Sequence, residues 1–465
     1  MFVVRKTAVQ EDAGPGGMIS PQMDIRGTSS PSADLTPRVN LGACDLFAAP
    51  PSRTGQRPAH ASQSSKRECR EWNPSKRWNP FNSYKLLAQV ERWKKIKRGR
   101  AIPPPVLITV DPTNLCNLNC VWCNAEFVRK ERGGALSEKA LREIADFLPQ
   151  WGEPSGGEGT DCEEVGVQAI CIAGGGEPLL NNATGGFIDR VVANGVDVGI
   201  VTNGTMMDRF IDSLSEAVWV GVSVDAATRQ TYNKLKGLPD GCDLFDRVVD
   251  NIAVLVDYAK MHNNRLGWKH PAYGVSFKYL LYKDNIAEVY EAAKLAKRLG
   301  CKNIHFRPAG TTWDKLDTEK EIVFSREDVL MFEQQVFEAL RLDDETFGVY
   351  GVTHKFNSQF ASANYFNRCH SIFMTAVIEP PVGKDAPKDS FTVGLCCDRR
   401  GDGKLELARN IERVELIQEL WGGRKHWEIH DRIAVQSECP RCTYQPHNEI
   451  YEQVILNDSM TYKFI

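Results

Sequence analysis

Six times between residues 106 and 310 the sequence opens a short run rich in β-branched residues: VLITVD (106–111), VGVQAICIAGG (165–175), VDVGIVTNG (196–204), AVWVGVSVD (217–225), GVSFKYLLY (274–282) and KNIHFRPAG (302–310). The first five are each followed by a stretch with helical spacing, such as SEKALREIADFL, GGFIDRVVANG and NIAEVYEAAKLAKRLG. Strands that alternate with helices run parallel, because each helix carries the chain back to the starting end of the sheet. The fold class expected is therefore α/β, a partial (β/α)6 TIM-like barrel, with function gathered at the C-terminal ends of the strands.

The loop just past the first strand, DPTNLCNLNCVWCNAE, places Cys116, Cys120 and Cys123 inside a few residues. Three thiolates suffice to ligate three irons of a cubane cluster and leave the fourth iron open. Zinc with a distant fourth ligand is the direct rival, since thiolates suit both metals. A second set, Cys369, Cys396, Cys397, Cys439 and Cys442, lies near the C-terminus. The chain has 14 cysteines, and its start, MFVVRKTAVQEDAG, lacks the sustained apolar core of a secretory signal. Metal or cluster ligation is thus expected over disulfides, with a cytoplasmic location as the default.

The rest of the chain divides by composition. Residues 1–75 are rich in Pro, Ser, Gly and Arg and are expected to be disordered; Cys44 and Cys69 fall there. Residues 76–105 form a lead-in to the barrel. Two WNP steps, at 72–74 and 78–80, run into it, and it carries a basic helix with Tyr84, Leu87, Val90 and Trp93 on one face. The barrel is placed at 106–345 and a small cysteine-rich domain at 346–465. Of 465 residues, 42% are hydrophobic and 25% charged, with a formal net charge of -3. That balance gives no general electrostatic case for nucleic acid, and no apolar run is long enough to cross a bilayer.

CNLNCVWC resembles the CxxxCxxC signature of radical S-adenosylmethionine (SAM) enzymes, with Trp122 as the aromatic residue that often precedes the last cysteine. The resemblance covers residues 106 to roughly 310 and implies a 4Fe-4S cluster on Cys116, Cys120 and Cys123 that binds SAM. It also implies that Gly175, Gly176, Glu177 and Pro178, at the end of the second strand, hold the amino group of SAM. Thr202, Asn203, Ser223 and Asp225, at later strand ends, would line its ribose and carboxylate or face substrate. Arg307, at the end of the sixth strand, would anchor a carboxylate or phosphate. Taken singly, each of these polar residues reads equally well as a turn or cap.

The C-terminal segment CHSIFMTAVIEPPVGKDAPKDSFTVGLCCD, with the later CPRC, is similar to the auxiliary-cluster domains called SPASM and, in shorter form, twitch. It departs from them by an inserted PPVGKDAPKD loop. The resemblance implies a second 4Fe-4S cluster on Cys369, Cys396, Cys439 and Cys442, with Cys396 preferred over Cys397; a structural zinc site is the alternative. The implied activity is reductive cleavage of SAM to a 5'-deoxyadenosyl radical that abstracts hydrogen. The expected substrate is a small polar molecule of sugar or aminocyclitol type, undergoing dehydrogenation, dehydration or epimerisation in an antibiotic-type pathway. The alternatives are maturation of a ribosomally made peptide and non-catalytic electron transfer. A reducing partner such as flavodoxin or ferredoxin is implied; no membrane or nucleic-acid partner is expected.

Overall fold

The β-branched runs become strands at the expected places. β1 (Leu107–Val110), β2 (Ala169–Ile172), β3 (Asp197–Thr202), β4 (Trp219–Ser223), β5 (Gly274–Leu281) and β6 (Asn303–Pro308) pair side by side in chain order, all parallel. The computed structural model describes residues 83–153, 165–270, 272–315, 322–352, 366–439 and 442–456. The N-terminal extension, both WNP steps, Cys44, Cys69 and Cys162 lie outside the described residues.

The alternation of side chains along a strand splits this sheet into two faces. Ile108, Val110, Ile170, Ile172, Val198, Ile200, Val220, Val222, Phe277, Ile304 and Phe306 are buried and form the main core with the surrounding helices. At roughly 1.5–3 kcal/mol per fully buried aliphatic or aromatic side chain, this layer is the dominant stabilising term. The opposite register carries Thr109, Cys171, Ser223, Lys278, His305 and Arg307. Gly199 on that face leaves room for the Trp219 ring, which a Cβ would meet at 2.1 Å, and Lys278 Nζ sits 5.5 Å from that ring's centroid.

The intervening helices are stopped and started by their sequences. Ser137 Oγ accepts from Ala140 N–H to cap Glu138–Phe147, and Ser325 with Asp328 forms a capping box on Arg326–Ala339. Arg229–Lys236 begins at Thr228 and ends at Gly237, whose φ of 69° is the left-handed cap that glycine tolerates.

Two features go beyond the six-unit expectation. A seventh parallel strand, β7 (Gly348–Gly351), adds beside β6; its GVYG sequence is too short and glycine-rich to read as a strand. The expected C-terminal hairpin does form, as β8 (Val377–Glu379) and β9 (Phe391–Gly394), with the PPVGKDAPKD segment as its loop. β8 lies parallel against β1, and β10 (Glu406–Ile411) follows β9, so one mixed sheet of ten strands runs β10-β9-β8-β1 through β7.

The lead-in departs from its expected face. It is a 3-10 turn (Ser83–Gln89) followed by a short helix (Val90–Lys94). Leu86, Trp93 and Ile96 are buried while Leu87 is 38% exposed, because the tighter turn rotates the apolar stripe. Arg92, on the nominally basic side, is buried and donates to the Pro104 carbonyl at 2.9 Å. Among the described residues no helix is long and apolar enough to cross a membrane.

Candidate functional site

The cysteine loop leaves the end of β1 and is pinned before its first thiol. Thr113 Oγ1 donates to the Gly134 carbonyl and accepts from Leu115 N–H, both at 3.0 Å; Asn114 Nδ2 donates to the Gly133 carbonyl at 2.8 Å. Farther along, Asn119 N–H and Val121 N–H donate to the carbonyls of Lys236 and Leu235, at the C-terminal end of Arg229–Lys236. Trp122 is buried against Leu235 and Ala309, with Tyr282 beside it at 5.6 Å between ring centroids. The aromatic residue before the last cysteine is therefore an anchor that fixes the loop.

Cys123 is near enough to raise the proton affinity of Cys116, and both are near enough to raise that of Cys120. Burial is the largest cause and pushes Cys120 up to about 11, with Lys236 acting in the opposite sense. Arg129 Nη1 lies 3.6 Å from Cys123 Sγ. Thiols held protonated by burial become ligands when a metal cation supplies the missing charge, so this donor set fits an iron site. Sulfurs around one zinc would sit about 3.8 Å apart, given Zn–S near 2.3 Å. Among the described residues no three His, Cys, Asp or Glu groups converge to hold a single ion.

The glycine run after β2 is required by close contact with this loop. Gly176 N–H donates to the Thr113 carbonyl at 3.1 Å and Glu177 N–H to the Leu115 carbonyl at 2.7 Å. A Cβ on Gly176 would lie 1.9 Å from Leu115 O, and one on Gly175 would lie 2.2 Å from Asn114 Oδ1. The two segments pack backbone on backbone, and only glycine permits it. Asn114 Oδ1, at that contact, is buried and has no hydrogen-bond partner among the described residues.

Glu177 is buried, and its carboxylate accepts from Thr202 Oγ1 (2.6 Å), Asn203 N–H (2.6 Å) and Leu179 N–H (3.1 Å). Burial raises it to about 6 in spite of these donors. Asn203 Nδ2 donates to Asn117 Oδ1 at 2.8 Å, and Asn117 Nδ2 to Thr205 Oγ1 at 2.9 Å. Thr202 and Asn203 thus meet both the glycine segment and the cysteine loop. Pro178 opens a 3-10 turn, and its carbonyl accepts from Thr184 Oγ1.

Ser223 and Asp225 have a different surrounding. The Ser223 carbonyl accepts from Lys236 Nζ at 2.9 Å. Asp225, at a φ of 63°, directs Oδ2 to Lys236 Nζ and Oδ1 to Leu280 N–H, and its carbonyl accepts from Asn285 Nδ2. Both carboxylate oxygens are engaged inside the protein, so Asp225 holds the strand ends together. Lys236 and Asn117 were not singled out from sequence. Lys236 reads there as a surface helix lysine, and only its fold-level pairing with Asp225 explains its burial. Arg307 lies across from Leu280 on β6, and its charge, after burial, helps lower the nearby Lys278 to about 8.

The C-terminal thiols meet in a second place. Cys369, Cys396, Cys439 and Cys442 line one cavity of about 420 Å³, mostly apolar, together with Ser371 and Tyr444. Burial pushes Cys369 up to about 12 and raises Cys396 and Cys442 as well. Ser371 Oγ is buried there without a partner among the described residues. Four protonated thiols and an unspent hydroxyl fit a cluster ligated at every position. Asp398 braces the set by accepting from Thr443 N–H (2.6 Å) and Thr443 Oγ1 (2.9 Å). Cys397 is turned elsewhere, into a cleft of about 560 Å³ bordered by Asn124, Phe127, Thr312, Trp313 and Arg400.

Residues 110–267 match the family described as the Radical SAM superfamily, so that stretch carries a radical SAM domain. It is 27% identical over 210 residues to the AdoMet-dependent heme synthase of Methanosarcina barkeri, covering 43% of this chain and 50% of that protein. It is 26% identical over 220 residues to the mycofactocin maturase MftC of Mycobacterium tuberculosis, covering 46% of this chain and 48% of that one. The chain spans about half the length of these curated relatives. Streptococcus suis SuiB, in a crystal structure bound to the precursor peptide SuiA, aligns at a TM-score of 0.49 and 13% identity over 76% of this chain and 72% of that one.

Proposed function

We propose that this chain is a radical SAM enzyme with two 4Fe-4S clusters that matures a ribosomally made peptide. The observation that carries the radical SAM reading is the backbone contact of Gly175, Gly176 and Glu177 with the loop leading into Cys116. It sets a buried carboxylate and a glycine wall beside three thiols. When bound, the cluster supplies one electron to SAM, whose cleavage gives methionine and a 5'-deoxyadenosyl radical that removes hydrogen from substrate.

The chain's own residues bind and orient. Cys116, Cys120 and Cys123 are the residues that would hold the cluster. Glu177, kept in place by Thr202 and Asn203, accepts from the SAM ammonium, and the glycine wall lets the methionine moiety approach the backbone. Asn117 ties the cysteine loop to the Thr202–Thr205 turn, so both move as one body. The Asp225–Lys236 pair secures the far side of the loop through the Ser223 carbonyl and the end of Arg229–Lys236. Cys369, Cys396, Cys439 and Cys442 hold the second cluster, and an external one-electron donor of flavodoxin or ferredoxin type reduces the protein.

The peptide reading displaces the small polar substrate as first choice because a curated relative is a maturase. The sugar or aminocyclitol reading keeps one supporting feature, the polar lining of the cleft by Asn124, Thr312, Asp398 and Arg400. Anaerobic incubation with SAM, reductant and either candidate precursor peptides or aminocyclitols, read by mass spectrometry, separates the two. Absence of 5'-deoxyadenosine under all conditions overturns both.

A further inference from the structure

The basic segment ahead of the barrel takes no part in the site described so far. Residues 91–100, ERWKKIKRGR, hold six Lys and Arg against one Glu, in a chain whose formal net charge is -3. Lys94, Lys97 and Arg100 are exposed. The segment is fastened to the cysteine-rich part of the chain. Tyr451 Oη donates to the Ile96 carbonyl at 3.2 Å, Arg98 Nη2 donates to Asp431 Oδ2 at 2.6 Å, and the Arg98 guanidinium lies 4.7 Å from the centroid of the Trp427 ring. Arg368, the residue before Cys369, is exposed and donates to the Asp431 carbonyl at 2.6 Å, so a second basic element joins the same patch. The nearby acids Glu91 and Asp431 are already engaged, by Lys94 and Arg98. From Trp427 a series of rings runs inward, Trp427 to His430 at 5.3 Å and His430 to His370 at 5.2 Å between centroids. His370 follows Cys369, a wall residue of the four-thiol cavity.

We infer that this patch is the docking surface for a small acidic protein that carries single electrons, and that the electron enters the chain there. This rests on the second cluster given under Proposed function and deepens that reading by naming the face through which it is reached. One electron leaves the carrier's reduced cofactor and arrives at the group held by Cys369, Cys396, Cys439 and Cys442. The carrier is oxidised by one electron, that group is reduced by one, and no bond forms or breaks. Complementary charge speeds the encounter and orients the partner. Outside the patch the chain is acidic in balance, which suits a compact acidic partner and disfavours a long polyanion that would run beyond the patch.

The test follows association of flavodoxin with the cluster-loaded protein by biolayer interferometry without oxygen. The triple variant Lys94→Glu, Lys97→Glu, Arg100→Glu should associate on the order of ten- to a hundredfold more slowly at low salt. The control Lys260→Glu, Lys384→Glu, Lys388→Glu makes the same change of charge at other exposed positions and should stay near wild type. The wild-type rate should fall toward that of the patch variant as ionic strength rises to about 0.15 M. In stopped flow, oxidation of flavodoxin hydroquinone should slow in parallel in the patch variant, whereas dithionite, which needs no docking, reduces both proteins alike and shows that the variant is folded and loaded. Cys442→Ala should keep flavodoxin binding and lose the transfer. Wild-type association in the patch variant overturns the docking surface, and unchanged transfer in Cys442→Ala overturns the electron route. A short RNA that binds the patch more tightly than flavodoxin at the same salt makes it a nucleic-acid surface and overturns the proposal. Absence of 5'-deoxyadenosine from wild type with SAM and dithionite overturns the radical SAM reading, and the electron route with it.

Discussion

Arg400 grips Asp111 with two hydrogen bonds, Nε to Oδ2 at 2.5 Å and Nη2 to Oδ1 at 3.3 Å, although the two lie 289 residues apart in sequence. Asp111 is the first residue past β1 and is fully buried. Burial opposes the charge on Arg400, but Asp111 more than offsets it and holds the guanidinium protonated. Asp111→Asn would leave a buried cation without its counterion and is expected to cost about 3–5 kcal/mol. Anaerobic urea unfolding of the cluster-loaded variant checks this; a loss no larger than that of an exposed ion-pair variant would refute it.

Iron content tests the first thiol set. Wild-type protein purified without oxygen should hold about eight irons, as two cubanes of four. Replacing Cys116, Cys120 or Cys123 by Ala should lower this to about four and end 5'-deoxyadenosine formation. Iron assay and product chromatography are both required, since the second cluster should survive.

The second set makes a sharper prediction, because two adjacent cysteines are told apart. Cys396→Ala should lose about four irons, whereas Cys397→Ala should lose none. The same assay separates iron from zinc: about four irons in wild type with one bound zinc would contradict the second cluster.

Gly176→Ala tests the backbone contact. The new methyl would lie 1.9 Å from a main-chain oxygen that cannot swing aside. Displacement of the loop should cost on the order of 1–3 kcal/mol and weaken SAM binding before it alters iron content. Equilibrium dialysis with labelled SAM reads the effect, and wild-type affinity in the variant would argue against the proposed binding wall.

Glu379 supplies a pH dependence. Burial first, and then the charge of Asp111, raise it to about 7, above its ordinary 4.5. Between those values the folded protein binds a proton that the unfolded chain has released, so stability falls as pH rises through this window. The full difference is on the order of 3 kcal/mol. Glu379→Gln retains an oxygen for the Gly401 N–H and should flatten the slope, giving a higher melting temperature than wild type above about pH 7. Melting curves of both proteins across the window decide it.

The sequence revealed what repeats locally. Parallel strands β1–β6 follow from β-branched runs separated by helical spacing, and the cysteine motif at the end of β1 falls where such folds place chemistry. Long-range pairings were not legible. Nothing near Lys236 announces that Asp225 will bury it, and nothing near Asp111 points to Arg400. β7 was missed because GVYG has few residues and two glycines. The hairpin of β8 and β9 was legible as a hairpin from its turn-rich insert. Its union with β1 was not, since strand partners far apart in sequence leave no local periodic signal. The separate surroundings of Cys396 and Cys397 follow from the pleat and the 3-10 turn that begins at Cys397, details finer than spacing resolves.

The parallel seam between β8 and β1 also bears on how the chain can be cut. Thr109 N–H and Asp111 N–H donate to the carbonyls of Ala376 and Ile378. Truncation ahead of β8 would bare the flank of β1 as a sticky edge, open to strands from other molecules. A shortened chain ending at β7 is therefore expected to precipitate or form intermolecular sheet, even though it retains every residue of the proposed SAM site.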